Sequence, residues 1–256
     1  MRRSLFHFVA AVSIAAAGMV SAVQAGTITF GSGGNTFNME FVTIGNPGNA
    51  ADTNGNPTSA GAVGYTYGIG KFEVSRDMIT KFNASQSLQI TLADMTLQGA
   101  NGANKPATGV SWNEAARFVN WLNTSQGYNA AYKFTTNFVH ENNALWTSGE
   151  AGYNASNKYR NSLAKYVLPD YNEWYKAAYY NPNDSTYYDF PNGSNTAPNA
   201  VASGTTANTA VYQGQSGPAD VNQAGGLSPY GVMGLGGNVF EWEESSGDLA
   251  NSSGSS

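Results

Sequence analysis

Glu241-Trp242-Glu243-Glu244 is the densest group of acidic side chains in this sequence. Paired carboxylates can exchange protons across a glycosidic bond, hold a hard cation such as calcium, or simply face water. In an extended segment alternate residues share a side, so Glu241 and Glu243 should point one way and Trp242 the other. Spacing alone favours the solvated reading. The rest of the chemical inventory is thin. No cysteine occurs in 256 residues, which removes thiolate ligands, thiol nucleophiles and disulfides from this chain. His140 has no second histidine or cysteine at metal-ligand spacing and reads as structural. Gly234-Leu-Gly236-Gly237-Asn238 is glycine-rich but follows no strand–helix unit of the phosphate-binding kind. Ten aromatic residues crowd positions 159–190. Such rings can stack on sugars or peptides, and more often fill a core short of aliphatics.

The elements that must position these groups are short. Ile28 and Phe30, then Phe37, Met39 and Phe41, recur at period two around Gly31-Ser-Gly-Gly34, which predicts a hairpin. Residues 46–61 are rich in Asn, Gly and Pro and should be a surface loop. Alternation from Tyr65 to Val74 predicts another strand. Ser75 precedes a helix with Met78 and Phe82 on one face. Ser111-Trp-Asn-Glu114 is a capping box, followed by Ala115, Phe118, Val119 and Leu122 as one stripe, with Gly127 as the stop. Asp170-Tyr-Asn-Glu173 repeats the device, with Trp174, Ala177 and Ala178 facing inward and Asn181-Pro182 as the end. From Tyr187 to Tyr230 small and polar residues dominate, a loop long enough to need something to hold it.

Charged residues make up 11% of the chain and the net charge is −5, which argues against a nucleic-acid binder. Met1-Arg-Arg, the apolar run from Leu5 to Val20 and Val23-Gln24-Ala25 read as an export signal cut after Ala25. Loss of Arg2 and Arg3 with it takes the charge from −5 to −7. The domain division is then 1–25 signal, 26–245 one folded domain, and 246–256 a flexible Ser/Gly/Asn tail. The expected location is periplasm, cell surface or exterior, with no transmembrane segment after cleavage.

Four blocks in order resemble the formylglycine-generating-enzyme (sulfatase-modifying factor) family. They are Phe72-Glu-Val-Ser75, Lys105-Pro-Ala-Thr-Gly-Val-Ser-Trp-Asn-Glu-Ala115, Leu168-Pro-Asp-Tyr-Asn-Glu-Trp-Tyr-Lys-Ala-Ala178 and Tyr230-Gly-Val-Met-Gly-Leu-Gly-Gly-Asn-Val-Phe-Glu-Trp242. The resemblance implies an α+β, C-type-lectin-like fold with short helices, small antiparallel sheets and long loops. Trp112, Trp121, Trp174 and Trp242 would then belong mainly to the core.

The departures from the family bear on function. Active members bind copper through two cysteines beyond the Glu-Trp block and oxidise a substrate cysteine to formylglycine. This chain has no cysteine, so copper is not supported by it. It also lacks the family's Arg-Gly-Gly-Ser-Trp block, and Val167 replaces the Arg before Leu-Pro. The family also implies structural calcium. At one site Glu241, with main-chain oxygens of Gly237 and Val239, matches the ligands, while Gly234 stands where an Asp or Asn is expected. That site should be weak or absent. A second would use Asn199 and Asn208. The leading expectation is an exported, non-catalytic relative that binds a protein or glycan ligand at the cell surface, as do sortable surface proteins of Gram-negative bacteria. The alternative is the N-terminal part of a copper oxidase. A third is a glycan-active protein using Glu241 and Glu243. The domain is expected to be marginally stable, with an unfilled sheet edge.

Overall fold

A computed structural model describes residues 8–10, 13–14, 26–55, 58–136, 141–213 and 215–244. His140 and the 246–256 tail lie outside the described residues, as does most of the 1–25 signal. The elements in chain order are β1 (Phe8–Ala10), β2 (Ser13–Ile14), β3 (Gly26–Phe30), β4 (Phe37–Ile44), β5 (Tyr67–Gly70), α1 (Arg76–Asn83) and α2 (Trp112–Thr124). They continue with β6 (Lys133–Thr136), β7 (Glu141–Ala144), α3 (Tyr171–Tyr179), β8 (Tyr180–Asn181), β9 (Thr186–Tyr187), β10 (Asn199–Ala200), β11 (Thr209–Ala210) and β12 (Phe240–Trp242). This is an α+β architecture with three α-helices and small sheets among the described residues.

The expected hairpin is β3–β4, with Phe30 opposite Phe37 and Ile28 opposite Met39. Period two works as read: Phe37, Met39 and Phe41 are buried while Asn38 and Glu40 are exposed. β5 pairs antiparallel with β4, and the order in this sheet is β2-β5-β4-β3. The strand expected over 65–74 is shorter, because only Tyr67–Gly70 finds a ladder partner. β1 pairs parallel with β12. Both β1 and β2 fall within the segment read as an export signal, and they cover the edges of β12 and β5.

All three helices start where capping chemistry dictates. Ser75 Oγ accepts the Met78 amide. Ser111 with Glu114, and Asp170 with Glu173, form complete capping boxes. Ala115, Phe118, Val119 and Leu122 are all buried on α2. That helix ends at Thr124, and Gly127 adopts its positive φ just beyond. α3 stops at Tyr179, because the next two residues pair with Thr186–Tyr187.

Two cores result. The larger joins β3 and β4 to α1, α2, Tyr132, Tyr166 and Leu168, with Phe82 at 5.6 Å from both Phe118 and Trp121. The smaller sets Ala177 and Ala178 of α3 against Ile44, Tyr67, Ile69, Val232 and Leu235. Tyr166, Tyr175 and Tyr180 are buried, so the aromatic cluster serves largely as core. The four tryptophans expected there sit half-buried at the core margins instead. Their indole N–H groups need partners, and three of them fix the C-terminal segment. Trp112 donates to Glu243 O at 2.9 Å, Trp242 to Val110 O at 2.7 Å, and Trp174 to the Glu241 carboxylate.

The loop from 187 to 230 is not structureless. Parallel pairing of β10 with β11 and main-chain bonds from Gly204 to Gln223, Gly225 to Gly204 and Gly226 to Thr209 hold it. These satisfy the backbone groups that an unstructured buried loop would leave unpaired.

Candidate functional site

The second core ends in the turn Met233-Gly-Leu-Gly-Gly-Asn238, which leads into β12. Gly234 has φ +92, where a side chain is strained, and a Cβ there would lie 3.1 Å from Glu73 Oε1. A Cβ on Gly237 would lie 2.3 Å from Val211 O, so a second strand of chain passes against it. Asn238 has φ +63 and is anchored three ways. Its amide donates to Val211 O, its Oδ1 accepts the Ala219 amide at 2.7 Å, and its Nδ2 donates to Glu73 Oε2 at 2.6 Å. The turn is therefore a fixed cradle for the Glu73 carboxylate.

Glu241 of β12 and Glu243, just beyond its end, face one cleft of about 640 Å³. Trp174, Tyr212 and Phe240 supply its aromatic walls, and residues 234–239 its glycine-rich floor. Trp242 turns the other way into the larger core. The alternation read from sequence holds, but the solvated reading of the acidic group does not: both carboxylates are half-buried on the cleft wall. Glu244 is buried on the opposite side. Its carboxylate accepts from Tyr132 Oη at 2.7 Å, Asn157 Nδ2 at 2.6 Å and Arg160 Nε at 2.6 Å. Arg160 also reaches Leu168 O and Glu173. Val167, where the family has Arg, is buried, and a guanidinium reaches this point from seven residues earlier.

Electrostatics separates the two acidic groups. Glu244 faces a cation. Among the described residues, Glu73, Glu241 and Glu243 pair with no lysine or arginine. Burial pushes the Glu73 carboxyl well above its usual range and Glu241 adds to the rise, while hydrogen bonds from the Asn238 side chain and the Val239 backbone N–H oppose it. Burial raises Glu241 to about 7 against the Trp174 indole, and burial with Glu241 and Asp170 raises Glu243 to about 8. One oxygen of Glu73, Oε1, is buried without any hydrogen-bond partner.

Among the residues singled out for calcium, Glu241, Gly237 and Val239 line this cleft together, and Gly234 contributes only backbone. Asn199 and Asn208 are also brought together, by a 2.8 Å bond from the Asn199 amide to Asn208 O. Both are exposed, and Asn208 Oδ1 accepts from Asn192 at 3.5 Å rather than meeting a carboxylate. No three His, Asp or Glu side chains converge as a metal cage among the described residues. Sequence reasoning missed Glu73. It stands in the Phe-Glu-Val-Ser block, yet nothing local indicated that it would meet a turn some 160 residues later.

The α+β fold, the two capping boxes and the Gly-rich turn leading to Glu241 and Trp242 define the class of domain. The chain matches the sulfatase-modifying factor enzyme 1-like domain over residues 10–251, and it belongs to that family. The family carries a C-type-lectin-like fold, with which these short helices and small sheets are consistent. No curated protein and no solved structure matches the chain. Among the described residues no helix is long and apolar enough to cross a membrane.

Proposed function

We propose that this chain is an exported, C-type-lectin-like member of the family that binds a protein or glycan ligand at the bacterial cell surface and uses calcium as a structural ion. The observation that carries the reading is the cleft at β12: aromatic walls for contact area, a rigid glycine floor, and carboxylates that lack a cationic partner. With no cysteine, the chain itself supplies no thiolate for copper. The orphaned Glu73 oxygen and the unpaired Glu241 fit a hard cation. Glu241 with main-chain oxygens of Gly237 and Val239 would hold it, and the ion would neutralise the cluster and lock the turn. Export would follow from the N-terminal signal, with cleavage after Ala25.

The test is binding of the fluorescently labelled full chain to intact bacterial cells, with calcium and with EDTA. Saturable, calcium-dependent binding that falls at least tenfold on Phe240→Ser is expected, since that exposed ring borders the cleft. Oxygen uptake by the chain with copper and a cysteine-bearing sulfatase peptide would refute the non-catalytic role.

A further inference from the structure

We infer that the cleft beside β12 recognises a lysine side chain of a protein partner, with Glu243 as the counter-ion and Trp174 and Phe240 as the rings against which the ammonium and its stem lie. The inference deepens the ligand-binding reading of that cleft and rests on it. Glu243 is half-buried on the cleft wall, and no lysine or arginine pairs with it among the described residues. It is not one of the residues assigned to calcium, so a ligand at Glu243 and an ion at Glu241 occupy different groups. A carboxylate drawn partly out of water without a cation is costly. A cationic ligand removes that cost when it binds.

The surroundings say what kind of cation. Trp174 and Phe240 line the same cleft as Glu243. Trp174 and Tyr179 meet edge to face with centroids 5.9 Å apart. The Glu243 charge acts on the hydroxyls of Tyr171 and Tyr179, so rings flank it on the α3 side as well. Phe240 is 56% exposed at the rim, which leaves an aromatic face for a partner's apolar stem. Aromatic faces beside a carboxylate attract an organic ammonium, whereas a neutral ligand would leave Glu243 unpaired. Donor count favours lysine over arginine. A guanidinium brings five N–H donors in a fixed fork, and an ammonium brings three on a flexible stem. Of the two carboxylates in the cleft, Glu241 already accepts the Trp174 indole, which leaves Glu243 to receive them. The net charge of −5 draws a basic partner toward the chain.

The test titrates tetralysine into the full chain by calorimetry, in EDTA and at about 0.15 M salt, where distant surface charges are screened. Saturable binding is expected. Acetylating the lysines should weaken it by about tenfold or more, since the amide keeps the stem and loses the charge. Glu243→Gln should weaken it by about tenfold or more as well. Glu40→Gln removes the same charge from the exposed pair with Lys71, outside the cleft, and should change binding by less than about twofold. Melts of both variants are recorded beside wild type, and the acetylated probe tests the charge on unaltered protein. Equal losses in the two variants would show that net charge alone holds the peptide, and would overturn the inference. So would binding retained on Glu243→Gln, or tetra-arginine held as tightly as tetralysine. A wild type that ignores tetralysine yet shows calcium-dependent, Phe240-sensitive binding to cells refutes the lysine assignment and leaves the cleft reading standing. A wild type that binds neither cells nor tetralysine removes both.

Discussion

Glu244→Gln should be among the most damaging single substitutions outside the cleft. The Glu244 side chain is 1% exposed and that of Arg160 13%, and their charged atoms lie 2.6 Å apart. Glutamine conserves the volume but leaves the guanidinium with only Glu173, at 3.5 Å, as an ionic partner. It also turns an amide N–H₂ toward donors from Tyr132, Asn157 and Arg160. Breaking one side of a buried pair costs about 3–5 kcal/mol. For a domain of this size that is a fall in Tm of about 6–20 °C. Differential scanning calorimetry on wild type and variant measures it directly. The double variant Arg160→Met/Glu244→Leu removes both charges of the 2.6 Å pair but takes the cation away from buried Glu173, so it should recover only part of the loss. A Glu244→Gln melt within about 2 °C of wild type would show that the cluster does not hold Glu244 to the start of α3, and the account of the C-terminal segment would fail with it.

Acidity should stabilise the calcium-free chain. Burial holds Glu73, Glu173, Glu241 and Glu243 above their unfolded values, so the proton favours the fold. That contribution is complete below about pH 4.5 and is lost as pH rises through about 7–8. In EDTA the melt should therefore be higher at pH 5.5 than at pH 8.5, and the opposite order would contradict the buried state of these groups. Ser111→Ala removes the α2 cap and should cost about 1 kcal/mol in urea unfolding, with no effect on calcium response. Gly237→Ala should cost more than the cap, because its methyl would meet Val211 O at 2.3 Å; a neutral effect would mean that the two chain segments do not touch. Mass spectrometry of exported protein should find Gly26 at the N-terminus. That species loses β1 and β2, and it should melt below the uncleaved chain.

The local rules were legible where the signal is local. Period two placed Phe37, Met39 and Phe41 inward, and the Ser111 and Asp170 boxes marked two helix starts, because a strand face and a cap are settled within a few residues. The β6–β7 hairpin was not legible. Its second strand, Glu-Asn-Asn-Ala, lacks the β-branched and aromatic residues that mark strands, and only pairing with Lys133–Thr136 creates it. The extent of β5 was likewise set by where β4 offers a partner.

From the amino-acid order alone follow the helix starts, the hairpin, the shared side of Glu241 and Glu243, the lack of any thiol, and the family resemblance. The tertiary structure decided which acids are paired and which are stranded. Glu244 meets Arg160, Glu73 meets the space above Gly234, and Glu241 meets the Trp174 indole. Those encounters join residues 84, 161 and 67 positions apart in the chain. Periodicity and capping act over a turn or two of chain, whereas the cost of burying a charge depends on what folding brings beside it.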